Sequence, residues 1–141
     1  MASEELNQMA AQMQQMQQQA QAVANQLDAM QQSADELYAT IETLKNLKAA
    51  KNRVMLPLGS GVYASSKAIE TQKVLVNIGA GIVDERAASE AQELLEKRLK
   101  TILSAITKGQ EALAQLNARM EALDSDARKM IRDMGAQPPE Q

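Results

Sequence analysis

From Ala2 to Leu44 apolar residues recur in alternating steps of three and four: Ala2, Leu6, Met9, Met13, Met16, Ala20, Val23, Leu27, Met30, Ala34, Leu37, Ile41 and Leu44. No step is missed. A period of 3.5 residues is the a/d pattern of a coiled coil, in which a helix buries one narrow stripe against another helix. It argues against disorder and for a long helix that needs a partner. The residues between, as in "MAAQMQQMQQQAQAV" at 9–23, are mostly glutamine and alanine, good helix formers suited to the outer faces. Residues 6–27 carry no charge, although coiled coils ordinarily place charges beside the seam.

A second repeat supplies the partner: Ala91, Leu95, Leu99, Ile102, Ile106, Gly109, Leu113, Leu116, Met120, Leu123, Ala127, Met130 and Met134. The two successive steps of four, Ala91–Leu95–Leu99, are a stutter that locally unwinds a supercoil. Gly109 sits on the seam at a cost of about 1 kcal/mol in helix propensity. Ser89 and Gln92 have the spacing of a capping box, which predicts a helix start near residue 88. "GAQPPEQ" predicts its end, with Gly135 at C′ and two prolines blocking resumption. At 1.5 Å per residue each helix spans roughly 68 Å. Equal lengths around a short insert predict a folded-back, antiparallel pair. Lys45, Lys48 and Lys51 close the first helix and Glu90, Glu93 and Glu96 open the second, so opposite charges are expected to meet and fix the orientation.

The insert, "VMLPLGSGVYASSKAIETQKVLVNIGAGIVDE", changes period. Val54, Leu56 and Leu58 alternate with Met55 and Pro57, and "KVLVNI" is apolar and β-branched. "GSG" and "GAG" supply turn or bulge glycines, so two β-hairpins are predicted. Pro57 fits an edge strand or a strand end. Two such hairpins cannot build a core alone. The chain is therefore expected to be an obligate oligomer of α+β class: a long antiparallel two-helix coiled coil joined by two central β-hairpins that assemble into an intersubunit β-barrel. The expected organisation is a first helix over 1–52, an assembly region over 53–87, a second helix over 88–134 and a disordered tail over 135–141.

Composition excludes much chemistry. Cysteine, histidine, tryptophan and phenylalanine are absent, and Tyr38 and Tyr63 are the only aromatic residues. That removes thiol nucleophiles, the usual zinc ligands and the commonest general base. Gly59-Ser60-Gly61 and Gly79-Ala80-Gly81 lack the lysine-bearing and dinucleotide phosphate-binding patterns. No catalytic residue, metal or cofactor is expected. With a net charge of −3 and scattered cations, neither nucleic acid nor an anionic membrane is an expected partner. No apolar run approaches the roughly 20 residues that span a bilayer. The acidic opening "MASEELNQMA" does not read as a signal peptide, so a cytoplasmic location is expected.

The order helix, hairpins, helix resembles prefoldin, in particular its α class. "LPLGSGVY" and "VLVNIGAGIVDE" are similar to the two β segments of that class, and "EAQELLEKRLK" to the start of its second helix. The resemblance implies an ATP-independent holdase of two α and four β subunits joined through a double β-barrel. Coiled coils projecting from it would hold non-native proteins at their tips and deliver them to a group II chaperonin.

In an antiparallel coil both termini lie at the end away from the hairpins, where methionines concentrate. Methionine is unbranched and polarizable and adapts to irregular clients. Leu6, Met9, Met13, Met16, Met130, Ile131 and Met134 are the expected client-binding residues. Methionine at a or d is also ordinary seam packing, whereas Ile131 lies off the seam. Leu56, Leu58, Val62, Val74, Val76, Ile78 and Ile82 are the expected assembly residues, acting through strand addition and barrel packing. A filament or scaffold of the prefoldin-like γ type is the alternative; it requires the β segments to pair with copies of themselves.

Overall fold

A computed structural model of the chain describes residues 2–47, 54–66 and 73–135. The elements are α1 (Ala2–Leu47), β1 (Val54–Gly59), β2 (Val62–Ser66), β3 (Lys73–Gly79), β4 (Ile82–Ala87) and α2 (Ala88–Gly135). The described residues form two compact units, one from 2–31 and 104–135 and the other within 32–103. Among them no helix is long and apolar enough to cross a membrane, and no three histidine, cysteine or carboxylate side chains cluster as a metal site.

The heptad reading of α1 holds at every position. Each predicted seam residue from Ala2 to Leu44 is part-buried or buried, while nearly all others are exposed. Glu4 and Glu5 in the first turn and Lys45 in the last complement the helix dipole. In α2 the seam from Ala91 to Met130 is covered in the same way. Met134 departs from it at 46% exposure.

Three local expectations are corrected. α2 already begins at Ala88, so Ser89 lies inside the helix and not at its N-cap, and Gln92 Nε2 donates one turn forward to Glu96 Oε1 at 3.1 Å. Gly135 ends α2 as its last helical residue. Lys45 pairs within its own helix, its Nζ 3.7 Å from Glu42 Oε1, because an i,i+3 neighbour is always within reach. Lys48, Lys51, the expected helix over 48–52 and the expected tail over 136–141 lie outside the described residues.

The middle forms two separate antiparallel hairpins, β1–β2 and β3–β4. Their turns are near copies. Both central residues have positive φ, 51° at Ser60 and 78° at Gly61, then 51° at Ala80 and 74° at Gly81, as in a type I′ turn. The pairings skip Leu58 and Ile78, placing Gly59 against Val62 and Gly79 against Ile82. The shared pattern Leu/Ile-Gly-x-Gly-Val/Ile thus encodes one tight, bulged turn twice. In the second, Gly79 N–H donates to Asn77 Oδ1 at 2.9 Å. Arg98 Nη2 on α2 donates to the Asn77 carbonyl at 3.0 Å, fastening this turn to the helix.

Candidate functional site

Burial in the helices is uneven. In the 32–103 unit Ala34, Ile41, Ala88, Ala91, Leu95 and Leu99 are buried, with Ala34 at 0% exposure. In the unit of 2–31 and 104–135 Ile106 is the one buried hydrophobic among the described residues. The rest of that seam is wet at its edges. Between Leu6 and Leu27 its α1 flanks are mostly glutamine and alanine, so no lysine or arginine stem covers the seam from that side.

Within that unit the register is set by Leu27 and Gly109. A Cβ on Gly109 would lie 2.7 Å from Leu27 Cδ2. Counting antiparallel heptads from this layer places Met16 level with Met120, Met13 with Leu123, Met9 with Ala127 and Leu6 with Met130. Leu6, Met9, Met13, Met16 and Met130 are all part-buried. Ile131 is 58% exposed, off the seam as its spacing predicts, beside Arg128 and Arg132 along a shallow surface depression. The same count sets Met134 level with Ala2, whose methyl group covers little, which accounts for its exposure.

In the 32–103 unit a groove of about 600 Å³ runs between α1 and α2, with Leu37, Leu94 and Ile102 among its lining. Small polar residues open it. Thr40 Oγ1 donates to the Glu36 carbonyl at 2.8 Å and Thr101 Oγ1 to the Lys97 carbonyl at 3.1 Å, so both fold back onto their own helices.

The hairpins are the most exposed apolar region. Of the expected assembly residues, Leu58 is 69% exposed, Val62 55% and Ile82 58%, and Leu56 and Ile78 are exposed as well. Val74 and Val76 are instead part-buried, sharing a face with their cross-strand partners Arg86 and Asp84. The opposite face of β3–β4 carries Leu75, 73% exposed, and Val83. Neither was singled out from sequence. Met55 and Tyr63 were missed likewise on β1–β2, on the face opposite part-buried Val54, Ala64 and Ser66. Each hairpin is a two-stranded sheet, so every described strand is an edge strand.

The prefoldin family, described as "Prefoldin subunit", matches residues 16–132. The chain is similar to "Prefoldin subunit alpha" of Pyrococcus horikoshii, 36% identical over 121 residues covering 84% of this chain and 82% of the relative. It is 31% identical over 133 residues to "Prefoldin subunit alpha" of Methanosarcina acetivorans, covering 91% of this chain and 94% of the relative. Among solved structures it is similar to filamentous PFD from Methanocaldococcus jannaschii, determined by cryo-EM. That match has a TM-score of 0.69 and 25% identity, and covers 80% of this chain and 95% of the other.

Proposed function

This chain belongs to the prefoldin family, and we propose from that premise that it is the α-class subunit of an ATP-independent cytoplasmic holdase. In this role it joins β-class subunits through its hairpins, two α with four β. It captures non-native proteins on the coil of 2–31 and 104–135 and passes them to a group II chaperonin. It performs no catalysis and carries no cofactor.

The single observation that supports this best is the contrast between the two stretches of coil. In the 32–103 unit the helices bury Ala34, Ile41, Ala88, Ala91, Leu95 and Leu99. In the other unit Ile106 is the one buried residue among those described. Local opening is easiest where buried contacts are few. Opening there offers Leu6, Met9, Met13, Met16, Met130 and Met134 to an unfolded chain, with Ile131 already exposed. Each such side chain covered by a client contributes about 1–3 kcal/mol before ordering costs. Several coils on one assembly would act together, so weak single contacts can still retain a client.

Assembly would bury the open hairpin faces: Leu56, Leu58, Val62, Ile78 and Ile82, together with Met55, Tyr63, Leu75 and Val83. Val74 and Val76 are proposed to contribute by holding their hairpin in place. Co-expression with a β-class subunit tests the whole reading. A six-chain mass and suppression of client aggregation without ATP are expected; a lone stable monomer, or an assembly that protects no client, would refute it.

One observation favours a second reading. One solved structure of similar fold is filamentous PFD, and β segments that pair with their own copies would propagate instead of closing. Mass measured without any β-class subunit separates the two, since open polymers support the filament.

A further inference from the structure

The seams of the two units differ in sulfur. In the unit of 2–31 and 104–135, Met9, Met13, Met16, Met30, Met120 and Met130 occupy seam positions and are part-buried, so none of these residues is sealed from solvent. Met134 is 46% exposed at the end of the same series. From Ala34 to Leu44 and from Ala91 to Ile102 the seam contains no methionine at all. The chain also lacks cysteine, leaving methionine as its only oxidisable sulfur.

We propose that this methionine seam is a modification site for peroxide, at which sulfoxide formation loosens the coil of 2–31 and 104–135 while leaving the coil of 32–103 intact. In the step, a thioether sulfur attacks one oxygen of hydrogen peroxide and the O–O bond breaks. Sulfur gains that oxygen and is oxidised by two electrons; the other oxygen leaves as water. The product is a polar, chiral group in place of a flexible apolar one, and it can be reduced back enzymatically. A sulfoxide on the seam must either lose its hydration or hold the helices apart. Little resists the second outcome, because residues 6–27 supply no charge to bridge the helices and, among the described residues of this unit, Ile106 alone is buried. Met16 and Met120 share a layer by the heptad count, so oxidation of both strikes one level twice. The inference holds whether or not clients bind here.

The full-length chain, assembled with its partners, is treated with hydrogen peroxide. Oxygen uptake is mapped by peptide mass, and amide exchange is compared before and after. The expected result is sulfoxide at the six seam methionines and a loss of protection of about tenfold or more over 2–30 and 106–130. Residues 34–44 and 91–102 should change little, and methionine sulfoxide reductases should restore the lost protection. A variant with all six replaced by leucine, a volume-conserving change, should keep its protection in peroxide. Complete sulfoxide formation with unchanged exchange would overturn the proposal. So would equal loosening of the six-leucine variant, or protection that stays lost after reduction.

Discussion

Leu27 occupies the room that a side chain on Gly109 would need: a Cβ there would lie 2.7 Å from Leu27 Cδ2 and 3.4 Å from Cγ. The glycine that weakens α2 by propensity is the one that admits a leucine across the seam. Gly109→Ala should therefore gain helix propensity and lose packing, with little net change. In a Leu27→Ala background the clash is gone, and the same substitution should stabilise the coil by about 1 kcal/mol. A double-mutant cycle on urea unfolding reads the coupling. Strict additivity would show that the two residues do not share a layer.

Arg98 ties the β3–β4 turn to α2 through the Asn77 carbonyl, 3.0 Å from its Nη2. The bond is exposed, so Arg98→Ala should cost no more than about 1 kcal/mol. Its effect should be local: faster amide exchange across β3 and β4 with unchanged helix content. Exchange equal to that of the native chain would mean the hairpin is held by its Val74–Val76 face alone.

Ala80 holds a φ of 51° without being glycine. Left-handed backbone costs a residue with a Cβ roughly 1–2 kcal/mol, and asparagine tolerates it better than alanine. Ala80→Asn should slow exchange in β3 and β4 without altering assembly. Gly81→Val, at a φ of 74°, should do the reverse and cost the hairpin its turn. Identical exchange in both variants would remove the strain from consideration.

On β3–β4 the outward face carries Leu75 and Val83. Leu75→Asp combined with Val83→Asp should abolish co-assembly with β-class chains while the helical circular dichroism signal persists, as sedimentation would reveal. Glu85→Gln on that face should assemble normally. Unimpaired assembly of the double variant would assign the interface to other residues.

Much of this was legible in the chain itself. The α1 seam could be read residue by residue, because a helix that buries one stripe has one solution to its spacing. The Gly-Ser-Gly and Gly-Ala-Gly turns were legible because few residues accept positive φ. The strand faces were not. Val74 and Leu75 are both apolar, and alternation carries no information when both faces are hydrophobic and the covering groups come from elsewhere in the fold or from other chains. Nor did spacing reveal that Gln92 would bond forward to Glu96, or that Lys45 would take Glu42 from its own helix; neighbours one turn away outcompete more distant partners. Gly109 looked like a defect until Leu27 was placed against it.

Client capture by the coil of 2–31 and 104–135 is tested most directly by removing its end. Deleting residues 1–11 and 126–141 takes away Leu6, Met9, Met130, Ile131 and Met134 and leaves in place both hairpins and the buried residues of the 32–103 unit. The truncated chain is mixed with β-class subunits, its mass is measured, and aggregation of a denatured client is followed by light scattering without ATP. An assembly of unchanged subunit number that no longer suppresses aggregation is the predicted result. The same assembly protecting its client as fully as the intact chain would contradict it.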